Sequence, residues 1–229
     1  ANTTAGGNSY FGAYSGNVAT GADNSFFGSL TGLANTTGYS NSFFGGDAGK
    51  ANTTGFNNSF FGARAGTLST GNANSFFGAG SGAATTTGGS NSFFGTESGE
   101  SNTSGTANSF FGAGAGRFNA IGQHNSFFGV GAGRDNTFGH RNSFYGYEAG
   151  RLNTSGLENA FFGRRAGFNT TEGDNNTFLG VDAGMANTVG TDNVAIGHNS
   201  GSGGGPAGEN NVQIGRFTRV WLSGSNNTA

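Results

Sequence analysis

The chain has 229 residues, of which 48 are glycine, 24 are phenylalanine, one is proline and none is cysteine. This much glycine excludes a continuous helical fold, because glycine in a helix interior costs about 1 kcal/mol relative to alanine. The formal net charge of −2 excludes a protein that binds nucleic acid by neutralising phosphates with a basic face. The sequence also lacks any apolar run near the ~18 residues of a membrane span, so we expect neither a nucleic-acid partner nor a membrane span.

A block that reads Asn-Ser-Phe-Phe-Gly recurs along the whole chain. It begins at Asn24, Asn41, Asn58, Asn74, Asn91, Asn108 and Asn125, with variants at Asn8, Asn142, Asn159, Asn176, Asn193 and Asn211. The spacing of 16–18 residues is too short for a helix pair or a propeller blade, but it suits one turn of a β-solenoid. The period predicts an all-β fold, a parallel β-solenoid (β-roll) of about thirteen coils. We assign residues 1–210 to the solenoid rod and residues 211–229 to the last coil and a C-terminal transition segment.

Stacked coils place each position of the repeat in a row with a spacing of ~4.8 Å, the distance between neighbouring strands. The leading asparagine is expected to form a hydrogen-bonded amide ladder. Adjacent strand residues point to opposite faces, so only one of the two phenylalanines can face the coil interior. The second position is apolar in every unit, from Phe11 to Ile214, whereas the first becomes Ala195 and Gln213 near the end. We therefore expect the second position inside and the first position outside.

An outer row of aromatic side chains predicts self-association. Eleven stacked aromatics would exceed the apolar patch of about 300–600 Å² that is usual on a monomer. Another copy of the chain is the simplest cover, and a monomer that binds a ligand on this row is the alternative. The predicted oligomer interface consists of Tyr10, Phe26, Phe43, Phe60, Phe76, Phe93, Phe110, Phe127, Phe144, Phe161 and Phe178.

The repeat also resembles a known group of proteins. Units such as Asn193-Val194-Ala195-Ile196-Gly197 resemble the head repeats of trimeric autotransporter adhesins of the YadA type. The longer frame is similar to repeat stalks of bacterial surface proteins and phage-type fibre proteins, and residues 208–224 are similar to the transition that follows such stalks. The resemblance implies a left-handed β-roll, a trimer, and a location outside the cell, on a cell surface or on a virion. The unit is slightly longer than the adhesin head repeat, and its outer row is phenylalanine rather than a small residue.

No residue pattern in the sequence indicates catalysis. Asp47, Glu97, Glu148 and Asp182 share one position of the repeat with Arg64 and Arg165, as in a solvated surface row of mixed charge. The histidines fall at corners or variable positions, and the Gly-Gly-x-Gly-x-Asp frame of calcium-binding β-rolls is missing. We therefore expect no enzyme, no catalytic residues, no cofactor and no metal site.

Two rows of polar residues carry weaker binding hypotheses. Arg117, Arg134 and Arg151 occupy one position in three successive units, where they could contact an anion or an acidic glycan, although a solvated surface also explains them. A threonine row that includes Thr36, Thr53 and Thr86 could order water on ice, but threonine also suits β-structure.

Nine Asn-x-Ser/Thr sequences are possible glycosylation sites. They begin at Asn2, Asn35, Asn52, Asn57, Asn102, Asn153, Asn169, Asn175 and Asn226. Most lie at the Asn-Thr-Thr-Gly corner, which we expect to be exposed. Turn chemistry explains the same residues without a glycan.

The function that these observations favour is structural: a non-enzymatic extracellular fibre or filament subunit with an adhesive purpose. Its partners would be further copies of itself, as a homo-oligomer that the resemblance implies is a trimer, together with surface glycans or host matrix. The chain opens and closes in the second half of a coil, which suits either a segment of a longer fibre or end-to-end stacking. The alternatives are a carbohydrate-binding or carbohydrate-depolymerising tail spike of the phage type and, less favoured, an ice-binding protein.

Overall fold

A computed structural model of the chain describes residues 6–202, 208–218 and 226–228. These residues contain no helix, and their strands are three residues long, one in each coil. The strands are β1 (Ser9–Phe11), β2 (Ser25–Phe27), β3 (Ser42–Phe44), β4 (Ser59–Phe61), β5 (Ser75–Phe77), β6 (Ser92–Phe94), β7 (Ser109–Phe111), β8 (Ser126–Phe128), β9 (Ser143–Tyr145), β10 (Ala160–Phe162), β11 (Thr177–Leu179), β12 (Val194–Ile196) and β13 (Val212–Ile214). The predicted all-β parallel solenoid is confirmed.

The chain divides into two compact units, Ala1–Ala113 and Gly114–Ala229. The first contains β1–β7 and the second contains β8–β13. Within each unit, successive strands pair in parallel and in register, so that each residue faces its equivalent in the next coil. Equivalent residues therefore form rows along the stack, and each such row is called a ladder.

The last coil follows the same pattern. β13 pairs with β12, and Val212 also forms a parallel bridge with Thr228. Of the predicted transition segment, residues 219–225 and 229 lie outside the described residues.

The leading asparagines form the predicted ladder, and it is buried. Within each unit, the backbone N–H of a leading asparagine donates to the Oδ1 of its equivalent in the preceding coil, at 2.8–3.1 Å. The Nδ2 donates to a glycine carbonyl at the corner that closes the same coil, as Asn41 does to Gly55 at 2.8 Å. Each side chain thus joins two coils and closes one, which satisfies polar groups that would otherwise be costly to bury.

A second asparagine ladder lies at the start of the Asn-Thr-Thr-Gly corner. Asn52 and Asn153 are fully buried, and each Oδ1 accepts the N–H of the glycine three residues later at 2.8 Å. Asn119 and Asn136 extend the ladder, with a side-chain hydrogen bond of 2.7 Å between them. The corners are therefore held from inside the coil rather than by solvent.

The structure reverses the predicted orientation of the two aromatic ladders. The ten phenylalanines of the first position, from Phe26 to Phe178, are at most 1% exposed, and their rings stack at 4.7–4.9 Å. The second position is partly or fully exposed. Residues two apart on a strand share a face, so the buried leading asparagine carries the first phenylalanine inside with it.

This reversal corrects the predicted oligomer interface. Phe26, Phe43, Phe60, Phe76, Phe93, Phe110, Phe127, Phe144, Phe161 and Phe178 are enclosed in their own coils and leave no surface for another copy. Tyr10, at the same position, is partly exposed. A small residue three positions after each strand glycine also packs inside the coil, and Ala48 and Ala65 are fully buried there.

The glycine after the small inward residue is required by the inner ring. At Gly49 the backbone φ is +56°, and an added Cβ would overlap the ring of Phe43 in the same coil. The same contact recurs between Gly66 and Phe60. A larger residue there would have to displace the aromatic ladder.

Two corner positions in each coil adopt left-handed backbone conformations that glycine does not always fill. One precedes the leading asparagine, as at Ser40 with φ 53°, and the other follows the strand, as at Arg64 with φ 61°. Such a conformation costs a non-glycine residue roughly 1–2 kcal/mol. The ladders therefore hold the chain in turns that isolated peptides disfavour.

The ladder reversal predicts unequal effects of removing neighbouring rings. We expect Phe60→Ala to lower the free energy of unfolding by about 3–5 kcal/mol, because it opens a cavity between stacked inner rings. Phe61→Ala should lower it by less than about 2 kcal/mol, since that ring is already partly solvated. Urea denaturation of the two variants, at low protein concentration, measures the difference. Equal losses, or a larger loss for Phe61→Ala, would indicate that the second phenylalanine faces the coil interior, as the sequence predicted.

The second asparagine ladder predicts a stabilising substitution. Thr85 occupies an asparagine position, and its buried Oγ1 has no hydrogen-bond partner in the described structure. We expect Thr85→Asn to continue the ladder by accepting the N–H of Gly88, and to raise the free energy of unfolding by about 1 kcal/mol. Thr85→Val is the matched control, because it removes the unpaired hydroxyl without adding a ladder amide. If Thr85→Asn gains no more stability than Thr85→Val in denaturant titrations, the amide ladder does not stabilise this corner.

Candidate functional site

The outer aromatic ladder of the first unit is the most regular surface of the described chain. It consists of Phe27, Phe44, Phe61, Phe77, Phe94 and Phe111, and we call it the outer stripe. Successive rings stack at 4.7–4.8 Å with interplanar angles of 4–8°. Phe11 continues the row less regularly, at 6.4 Å and 28° from Phe27. The rings of the outer stripe are therefore nearly parallel and evenly spaced.

Small residues flank the outer stripe on both sides. The serines that begin each strand share its face, because they lie two residues before the outer ring. They are Ser25, Ser42, Ser59, Ser75, Ser92 and Ser109. On the other side, the second residue after each outer ring is Ser29, Gly46, Ala63, Ala79, Thr96 or Ala113. The stripe is thus a raised apolar row between two low rows, and none of the three contains a charged residue.

The ring faces of the outer stripe are occupied by one another. Stacking at 4.7 Å leaves the edges of rings such as Phe61 and Phe77 toward solvent, while each inner member has a neighbour on both faces. A sugar ring or a cation binds to the face of an aromatic ring. The stripe is therefore better suited to contact by a flat apolar surface than to stacking with a ligand.

In the second unit the outer ladder changes composition. Phe128, Tyr145 and Phe162 stack at 4.7–4.8 Å, but Leu179, Ile196 and Ile214 follow them. The flanking position that is serine in the first unit becomes Ala160, Thr177, Val194 and Val212. The contrast between a raised aromatic row and a low serine row therefore fades along this unit.

The three arginines of the proposed anion site are engaged with neighbouring side chains. Arg117 and Arg134 lie over the ring of Phe118, with the guanidinium carbon 5.2 and 5.4 Å from its centroid. Arg134 also pairs with Asp135 at 3.6 Å. Arg151 pairs with Glu148 and lies 5.6 Å from the centroid of Phe168. These contacts stabilise the corner row and reduce the positive charge available to an external anion.

The acidic row is likewise paired. Asp47 forms an ion pair with Lys50 at 3.0 Å, and Oδ2 of Asp182 accepts a hydrogen bond from Arg164 at 2.8 Å. Among the described residues, no group of three or more His, Cys, Asp or Glu side chains is arranged to hold a metal ion. The same part of the chain contains no helix that is long and apolar enough to cross a membrane.

The asparagines of the nine glycosylation sequences differ in their exposure to solvent. Asn35, Asn52, Asn102 and Asn153 are fully buried in the second asparagine ladder, so the prediction of an exposed corner is wrong for them. A glycan on any of the four would require that ladder to leave the coil interior. Asn169 is half-buried, and its Nδ2 donates to the carbonyl of Met185. Asn57, Asn175 and Asn226 are exposed, and Asn2 lies outside the described residues.

The threonine ladder serves to join coils. The hydroxyl of Thr36 donates to the carbonyl of Thr53 at 3.0 Å, and Thr86 donates to Thr103 at the same distance. In the second unit, Thr154 donates to the carbonyl of Thr171 at 3.2 Å. The hydroxyl protons that an ice surface would need are therefore committed to the backbone of the next coil.

The sequence does contain a signal for which phenylalanine ladder faces outward, and the prediction above did not use it. Uniform apolarity of the second position suggested burial, but alternation along the strand links the first phenylalanine to the leading asparagine. A stacked amide ladder is strongest away from water, so its burial was the better guide.

No family model matches the chain, and no curated protein or solved structure shows detectable similarity to it.

His140 makes one corner of the second unit sensitive to pH. Its Nδ1 accepts the backbone N–H of Gln123 at 2.9 Å. Burial, followed by the nearby charges of Arg141 and His124, lowers the pKa of His140 below its ordinary value. Protonation of Nδ1 would remove the acceptor from a backbone donor.

We therefore expect the stability contributed by this contact to be complete above the ordinary histidine pKa of about 6.5 and to be lost as the pH falls below it. His140→Asn should flatten the pH dependence, because Asn72 at the equivalent position accepts the N–H of Phe56 through Oδ1 without titrating. Thermal unfolding of both proteins between about pH 7.5 and pH 5 measures this difference. Parallel pH profiles would show that His140 does not cause the loss.

Proposed function

We propose that the chain is a non-enzymatic structural component of an extracellular fibre, and that copies associate through the outer stripe. The observation that carries the proposal is the uncharged, evenly stacked aromatic row between two rows of small residues. Interfaces are enriched in aromatic residues and depleted of charge at their centres. The inner phenylalanines fill the interior of each coil, so the outer ones are not needed for that purpose within a single copy.

The broader setting of this proposal comes from the resemblance to YadA-type adhesin heads and fibre stalks. It includes a left-handed coil, association of three chains, end-to-end growth into a filament, and exposure on a cell surface or virion. Surface glycans or host matrix are the proposed external partners. The exposed corners, whose charges vary from coil to coil, are the positions where such partners would be recognised.

A carbohydrate-binding or carbohydrate-cleaving spike is the alternative. A notch of about 360 Å³ in the first unit favours it, since Leu68, Ala83 and Ala84 line it together with Arg64 and Glu100. Arginine and glutamate together can hydrogen-bond sugar hydroxyls. The outer stripe weighs against this alternative, because its stacked rings offer edges rather than faces.

Removal of the outer stripe tests the proposed association. We expect the mass of the purified wild-type chain in solution to rise with concentration from 22.9 kDa toward a multiple of that value, because the apolar stripe would be covered by another copy. Combined Phe44→Ser, Phe61→Ser, Phe77→Ser and Phe94→Ser substitutions should shift the mass to that of a monomer. Light scattering after size exclusion measures both, and circular dichroism confirms that the variant is folded.

The matched control removes exposed apolar side chains elsewhere. Tyr39 and Leu68 are 45% and 49% exposed and lie outside the outer stripe. Tyr39→Ser combined with Leu68→Ser should leave the oligomer intact. A wild-type chain that is monomeric at high concentration, or an oligomer that survives loss of the stripe, contradicts the proposed association.

A further inference from the structure

The outer face of the first unit has the shape of a ridge beside a trough. The outer stripe forms the ridge, and the strand-initial serines from Ser25 to Ser109 form the trough. The two rows are separated by one buried residue, so their backbones lie about 7 Å apart, at ~3.3 Å per strand residue. Both rows repeat with the period of the coil stack, because strand pairing is in register.

We propose that two copies pair through this face about a two-fold axis parallel to the direction of coil stacking, with the ridge of each copy in the trough of the other. This inference rests on the proposed self-association, but it assigns a two-fold geometry in place of the three-chain association that the resemblance implies. Such an axis exchanges ridge and trough across the interface and keeps each coil opposite its equivalent. A two-fold axis perpendicular to the stack, along the strands, would instead place ridge against ridge.

Three features of the face support a second copy of the chain as its partner. Identical periods allow the rings of one copy to remain in phase with the serines of the other over every coil, as in the interdigitated sheets of a steric zipper. The rings of the stripe are nearly parallel, with angles of 4–8° between neighbours, so they present a continuous row of edges along the unit. The absence of charge from the Ser, Phe and small-residue rows avoids the cost of burying unpaired ions.

The contact area that this face offers determines how strongly two copies should associate. Six coils at ~4.8 Å and a width of about five strand residues give a footprint of roughly 25 by 16 Å on each copy, or about 800 Å² in total. Specific interfaces usually bury at least about 1,000 Å² in total, and weak ones lie at or below that limit. We therefore expect a concentration-dependent equilibrium of monomer and dimer from this unit.

Disulfide trapping distinguishes the arrangements, because the natural chain has no cysteine. One preparation carries Ser59→Cys, and the other carries Phe61→Cys with a tag that changes its mass. Ridge-into-trough pairing predicts that mild oxidation of the mixture gives mainly the mixed dimer, at several times the yield of either homodimer. Ser59→Cys mixed with Phe94→Cys is the control, since these residues lie two coils apart along the stack and should not cross-link.

Each other outcome overturns the proposal in an identifiable way. A dominant Phe61→Cys homodimer would mean that ridges meet ridges, as around a three-fold axis, and self-association would stand while its geometry falls. A dominant mixed dimer between Ala63→Cys and Phe61→Cys would place the ridge in the other low row. If the cysteine variants do not cross-link and the wild-type chain is monomeric by light scattering, both the geometry and the proposed association are overturned.

Discussion

The hydrogen bond from each leading asparagine N–H to the Oδ1 of the asparagine one coil earlier is the interaction on which the fold depends. It fixes the spacing of coils, and it requires a side chain that offers an acceptor in one direction and a donor in another. Because that amide is enclosed, the residue two positions later is enclosed with it. The aromatic core, the glycine that makes room for each ring, and the choice of outer surface all follow from the burial of one polar side chain.

This arrangement explains how so narrow a coil can fold with few apolar residues. Each coil of the regular repeat encloses one aromatic ring and one small residue, while two asparagine positions line the rest of the interior. The polar atoms of the leading asparagines are satisfied by backbone groups of the same or adjacent coils, so burial does not leave them unpaired. In the second ladder, the hydroxyls of Ser69 and Thr170 and both amide atoms of Asn35 lack a partner within the described residues. The second asparagine ladder is therefore less completely satisfied than the leading one.

The sequence was sufficient to predict the architecture, but not which side of the strand faces inward. The 17-residue period requires identical environments in successive coils, and only a stack of coils provides them. The choice between Phe43 and Phe44 depended on whether uniform apolarity or the position of Asn41 was the better indicator. Apolar residues are abundant on surfaces that meet other surfaces, whereas a stacked amide row is most favourable where water is excluded. Exposure of the Asn-Thr-Thr-Gly corner was misjudged for a similar reason, because Asn52 turns inward to hold its own corner.

The left-handed corner residues have a consequence for how such a surface can diversify. Asp47, Arg64, Glu97 and Arg165 occupy the same strained conformation with opposite charges, and the coils around them are unchanged. The conformational penalty is similar for each of these side chains, since it arises from the Cβ and the backbone rather than from the group beyond them. Mutation can therefore rewrite the pattern of charge along the corner at nearly constant stability. The interior is the same from coil to coil, whereas the charge at this corner can change without disturbing the fold.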